Sequence, residues 1–97
     1  RKKIYCGKIT NWFDRISVAE VLVESEALRK GDDILIVGET TGVIEQNISE
    51  IRVDLKPTEE AVKGTLCSIP VIFPDDIRTL GGKKIRRGDK VFIWSEV

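Results

Sequence analysis

A chain of 97 residues fits one domain, and its 16 basic and 16 acidic side chains leave no net charge, so no global field draws it to nucleic acid or to acidic membranes. The absence of histidine removes the commonest general base, metal ligand and near-neutral pH switch. Two cysteines far apart, Cys6 and Cys67, with no CxxC spacing, exclude zinc ribbons and dithiol redox motifs.

In residues 3–13, Tyr5, Gly7 and Ile9 alternate with Cys6, Lys8 and Thr10, which predicts a strand with one packed face. Gly7 within it marks a bulge or a close backbone approach. Residues 17–24 alternate Ala19, Val21 and Val23 with Glu20, Leu22 and Glu24, a second strand antiparallel to the first. Then comes Leu28-Arg29-Lys30-Gly31-Asp32-Asp33, a tight charged turn launching the apolar run 34–37, whose lack of polar partners predicts a strand buried on both sides. Residues 38–42 form a hairpin loop bounded by Gly38 and Gly42.

Residues 43–55 are long for one straight strand, and the apolar phase changes from Ile44 and Ile48 to Ile51, Val53 and Leu55, so a bulge or bend near Ser49-Glu50 is expected. Residues 57–64 place proline first, acids next, and Lys63-Gly64 last, the order for one helical turn. Residues 65–73 resume strand character, with Pro70 implying an edge or a missing ladder bond. An exposed loop follows over 74–84. The word Arg86-Arg87-Gly88-Asp89-Lys90 repeats the earlier turn and launches the last strand, 90–94.

Six short strands without an amphipathic helix predict an all-β fold, a small closed six-stranded antiparallel barrel of Greek-key type. No apolar run approaches the ~20 residues that cross a bilayer, and Arg1-Lys2-Lys3 leads into a strand, so a soluble, cytoplasmic domain is expected. Methionine is absent even at position 1, so residues 1–97 are expected to be excised from a longer protein.

The succession Gly7-Lys8-Ile9-Thr10, Val18-Ala19-Glu20-Val21, Leu28 to Ile34, Ile48-Ser49-Glu50-Ile51, Glu60-Ala61-Val62-Lys63-Gly64 and Arg87-Gly88-Asp89-Lys90-Val91 resembles the second-domain barrel of translational GTPases such as elongation factor Tu. A closer resemblance is to the C-terminal domain of the collagenase-like peptidases of family U-32. Gly7-Lys8 with Asn11-Trp12-Phe13, Val18-Ala19-Glu20, the run 31–43 with Thr40-Thr41-Gly42, and Arg52-Val53-Asp54-Leu55-Lys56-Pro57 carry it. That resemblance implies a non-catalytic substrate-recognition or accessory barrel, following a larger N-terminal domain that holds the active site and, in some relatives, an iron–sulfur cluster. It implies no cofactor or metal in these residues. Relatives are described as proteases or collagenases, and others hydroxylate tRNA or ribosomal RNA. The partners implied are the catalytic domain of the same chain, and tRNA, rRNA or a protein substrate. The segment 73–84 departs from the family as an insertion before the last strand. Two alternatives stand beside this: a free-standing RNA- or ribosome-binding module, and a structural cap on the parent enzyme.

No catalytic residues are predicted. The doublets Asp32-Asp33, Glu59-Glu60 and Asp75-Asp76 belong to turns and surface, because strand neighbours point to opposite faces. Gly31, Asp32, Gly42, Gly88 and Asp89 are structural turn residues, so Arg87-Gly88-Asp89 is a turn before it is an adhesion tripeptide. Asn47-Ile48-Ser49 matches a glycosylation acceptor but falls within a strand and is set aside. The two cysteines are expected to be buried thiols. Contact with RNA or with the catalytic domain is assigned to Lys8, Trp12, Phe13, Lys83, Lys84, Arg86 and Arg87: a basic cluster, with aromatic side chains able to stack a base. Of Trp12 and Phe13 only one can face the core, and the exposed one is the better candidate.

Overall fold

The computed structural model describes residues 1–73 and 85–96. Among them the chain forms ten strands and no helix. These are β1 (Lys2–Phe13), β2 (Val18–Val23), β3 (Leu28–Arg29), β4 (Asp33–Gly38), β5 (Gly42–Asn47), β6 (Ile51–Val53), β7 (Lys56–Thr58), β8 (Glu60–Ala61), β9 (Leu66–Pro70) and β10 (Lys90–Ser95). Eight of them make one antiparallel sheet in the order β5-β4-β10-β1-β2-β9-β6-β7, and β3 pairs with β8 in a second. Isoleucine and valine of the large sheet fill most of the interior. Ile9, Val21, Ile34, Ile44, Ile51, Ile69 and Val91 join Leu28 and Ala61 of the small sheet in one cluster. Such β-branched side chains suit a pleated, half-buried surface.

β1 is shared between two walls. It pairs with β10 from Lys2↔Ser95 to Lys8↔Lys90, and with β2 from Gly7↔Val23 to Phe13↔Val18, with register shifts at Tyr5/Gly7 and Ile9/Asn11. Gly7 lies where the walls overlap. A Cβ there would stand 1.9 Å from the Leu22 carbonyl oxygen, so the expected close approach is present.

The two Gly-Asp corners are built alike. Gly31 and Gly88 have φ of 95° and 89°. The amide of Asp32 donates to the Arg29 carbonyl and that of Asp89 to the Arg86 carbonyl. Each aspartate accepts in return from the same arginine's N–H, at 2.7 Å and 3.0 Å. The strands they launch, β4 and β10, are antiparallel partners, so the corners sit at opposite ends of that ribbon. They differ in depth. Asp89 is buried, accepts a hydrogen bond from the Thr41 hydroxyl, and its carboxylate fills the space a side chain at Gly38 would need.

The expected all-β antiparallel class holds, without a backbone ladder closing the cylinder among the described residues, and two further expectations are corrected. Six long strands do run in the order β5-β4-β10-β1-β2-β9, but no ladder joins β5 to β9. Pro70, at the end of β9, has no N–H to offer one. The Gln46 side chain spans the seam instead, donating to the Pro70 carbonyl at 2.7 Å and accepting from the Ile72 amide at 3.0 Å. Gln46→Leu should therefore cost about 1–2 kcal/mol in urea unfolding and speed amide exchange at Ile72.

The helical turn over 57–64 is replaced by β7 and β8. A lone turn fixes many dihedrals for one hydrogen bond, whereas Lys56–Thr58 completes a hairpin with β6 and Glu60–Ala61 pairs with β3. Pro57 is tolerated because β7 is the outermost strand. Leu55, assigned to the packed phase of one bent strand, is instead 89% exposed at the turn between β6 and β7. The bend near Ser49-Glu50 is present as the break between β5 and β6. The expected loop at 74–84, with Asp75, Asp76, Lys83 and Lys84, lies outside the described residues.

Candidate functional site

The residues assigned to a contact site separate into two regions. Lys8 sits opposite Lys90 in the β1–β10 ladder. The second corner folds over the same place, since the Gly88 amide donates to the Ile9 carbonyl and the Ile9 amide to the Asp89 carbonyl. Exposed Arg86 and Arg87 therefore join Lys8 and Lys90 in one basic group, with Lys8 also 3.8 Å from Glu24. Trp12 and Phe13 lie four and five positions further along β1, roughly 13–16 Å away, and belong to another surface. Lys2 and Lys3 lie toward the opposite end of the strand.

Trp12 is the aromatic residue that packs inward. It meets Phe73 edge-on at 5.4 Å between ring centroids, while Phe13 is exposed. Phe13 forms part of a groove of about 560 Å3 on the outer face of the sheet. Val18, Ser68 and Pro70 are its floor. The β1–β2 turn, with Phe13 and Ile16, makes one wall, and Glu50, Arg52 and Leu55 make the other.

Both walls are strained. Among the described residues, the non-glycine positions with positive φ are Ser17 at 55°, Asp54 at 52° and Leu55 at 66°, and all three belong to these two turns. The β6–β7 hairpin has a two-residue loop, whose second position ordinarily takes glycine. A leucine held there costs about 1–2 kcal/mol and, at 89% exposure, recovers little of it by burial. Ile16, in the facing turn, is 68% exposed. Sequence reasoning missed Ile16 and Leu55; the available signal was Asp54-Leu55 standing where a tight hairpin favours Asn-Gly.

A second feature missed in the sequence is the outer face of β1 and β10. Arg1 lies over the Trp94 ring at 4.7 Å and Lys3 over Phe92 at 4.4 Å, and Tyr5 meets Phe92 edge-on at 5.7 Å. The Tyr5 hydroxyl donates to Glu24 at 2.6 Å, which together with partial burial raises its pKa to about 12. The enclosed Trp94 indole N–H has no acceptor among the described residues.

Cys6 and Cys67 are free and buried in the core. Burial raises their pKa values to about 12 and about 11, because the interior disfavours thiolate. Both raised values favour the folded state below pH ~9, and that contribution is lost as pH rises from ~9 through 11 and 12. Native protein at pH 8 should react with a disulfide reagent only through unfolding, so both thiols should appear together and at the unfolding rate. Fast labelling of either would contradict their burial. Among the described residues no three Cys, Asp or Glu side chains are grouped to hold a metal ion.

An all-β domain of this topology has the fold of a U32 C-terminal domain. The C-terminal domain of a U32-assigned peptidase from Geobacillus thermoleovorans superposes with a TM-score of 0.77 at 14% identity, covering 95% of this chain and 93% of that one. Its selenomethionine form gives 0.74 at 15% identity. Sequence carries the relationship further. A collagenase of Porphyromonas gingivalis strain W83 is 45% identical over 92 residues, 95% of this chain and 20% of that protein. A protease of Methanocaldococcus jannaschii, itself uncharacterized, is 30% identical over 95 residues, 98% of this chain and 21% of that protein. The chain is thus homologous to a part of a collagenase and has the fold of the C-terminal domain of a U32-assigned peptidase. It spans about a fifth of the length of the curated relatives it matches. No protein-family model matches it.

Proposed function

We propose that this domain is the non-catalytic accessory barrel of a U32-type protease, which helps to hold a macromolecular substrate against an active site elsewhere in the polypeptide. One observation carries the reading: relatives named as a collagenase and a protease align with nearly all of this chain while four-fifths of their own length lies outside the match. The geometry is consistent with that division of labour. Among the described doublet carboxylates, Asp32 caps its corner and Glu60 pairs with Arg29 at 2.7 Å. Gelatin is the substrate to test, since a relative bears the name collagenase. The complete gene product and the same protein lacking residues 1–97 are compared on gelatin and on a short fluorogenic peptide. Selective loss of gelatin turnover, by roughly tenfold or about 1.4 kcal/mol, is the expected result. Equal rates on gelatin with and without the domain would remove the reading, as would gelatin hydrolysis by residues 1–97 alone.

The second reading, an RNA-contacting module in the cytoplasm, has its own support in the β1–β10 face, where cations and aromatic rings interleave beside Lys8, Lys90, Arg86 and Arg87. Filter binding of tRNA across a salt series separates the two. RNA contact requires a log–log slope of roughly −0.7 per phosphate engaged, reduced by Lys8, Arg86 and Arg87→Ala.

A further inference from the structure

We infer that the strained groove between the β1–β2 turn and the β6–β7 hairpin is the seat of another part of the same polypeptide, an apolar segment of the region that the relatives possess beyond this match. The inference rests on the accessory-barrel reading, since a free-standing domain would have no such neighbour.

Strain and exposure coincide at this one place. Leu55 occupies left-handed backbone that glycine would adopt freely, and it holds an isobutyl group almost wholly in solvent. Folding of the domain alone gains from neither. Ile16 repeats the pattern across the groove, in the turn where Ser17 is also left-handed. Local rules that fail together around one concave apolar surface are the mark of a contact made with something outside it. The floor between these walls carries apolar Val18 and Pro70 beside Ser68, and Glu20 at its edge is already engaged by the Thr10 hydroxyl at 2.8 Å.

Size selects the occupant. A groove lined by ten residues, Phe13, Ile16 and Leu55 among them, offers far less than the roughly 20–30 residues a side of a stable association between separate molecules. A second copy of this chain, or a freely diffusing protein, would therefore be held weakly. A partner tethered on the same chain meets the groove at high effective concentration and needs no such area. Interfaces between domains of one chain are accordingly smaller and tolerate a modest apolar centre. Four-fifths of the relatives' length is available to supply that partner. The Arg52–Glu50 ion pair at the rim leaves this wall no strong field of one sign, which suits an apolar segment better than a polyanion.

The experiment is thiol labelling of the complete gene product, read by peptide mass spectrometry. Leu55→Cys and Ile16→Cys are compared with Val43→Cys, which is 62% exposed on β5 and away from the groove. All three positions are exposed in this domain, so the substitutions leave its core intact, and Cys6 and Cys67 stay silent because they are buried. Labelling at positions 55 and 16 slower than at 43 by roughly tenfold or more, with no substrate present, is the expected result. Equal rates at all three positions would overturn the inference. Protection that appears only when gelatin is added would overturn it too, by making the groove a substrate seat, and would leave the accessory-barrel reading standing. That reading fails by a different measurement, gelatin turnover that survives removal of the domain.

Discussion

Gly7→Ala is expected to remove a large share of the folding stability of this domain. The added methyl would stand 1.9 Å from the Leu22 carbonyl oxygen, 2.9 Å from its carbon and 3.1 Å from the Val23 Cα. All three are backbone atoms of β2, so no rotamer change relieves the clash, and β1 and β2 must separate where β1 passes from one wall to the other. Overpacking that moves backbone costs about 3 kcal/mol or more, a large share of the roughly 5–15 kcal/mol that holds a domain of this kind together. The thermal midpoint should fall by roughly 12–24 °C. Gly31→Ala is the control: it has nothing within 4 Å and suffers only from its φ of 95°, a cost of about 1 kcal/mol. A Gly7→Ala variant no less stable than Gly31→Ala would show that β2 does not press on β1 at this point.

The second large effect separates the two like corners. Asp32→Ala should cost about 1 kcal/mol, since the Arg29 N–H that loses its acceptor is exposed and water replaces it. Asp89→Ala should cost about 3 kcal/mol. It takes the acceptor from both the Arg86 N–H and the buried Thr41 hydroxyl, and it opens a space that Gly38, lacking a side chain, cannot fill. Urea unfolding of the pair, with unchanged m-values, measures the difference. Equal costs would mean that the burial of Asp89 and its contacts with Thr41 and Gly38 have no energetic weight.

Most of the frame was legible in the sequence because its signals are local. Alternation marked β1 and β2, the unbroken apolar run marked β4, and the two Gly-Asp words marked corners that share their hydrogen bonds atom for atom. Recognition of the U32 relationship rested on motifs such as Thr40-Thr41-Gly42 and Asp54-Leu55-Lys56-Pro57, spread through the same frame. What sequence could not deliver depends on distant pairing. Residues 57–64 have helix-like order, but β3 and β6 claim them for strands. Gln46 is an ordinary polar residue of β5 until Pro70 and Ile72 arrive beside it. Leu55 has the right parity for a core strand, and only the hairpin that turns at Asp54 sends it outward. Of the residues assigned to a contact, Phe13 is exposed, Lys8 and Arg86–87 lie some 13–16 Å along the strand from it, and Lys83 and Lys84 lie outside the described residues.

The ladder between β1 and β10 also governs how the domain comes into being. Lys2 finds its partner only when Ser95 has been made, so during synthesis the first half of β1 waits for β10 while its second half pairs early with β2. Such end-to-end closure makes for slow folding and gives chaperones a period in which to shelter that half of β1.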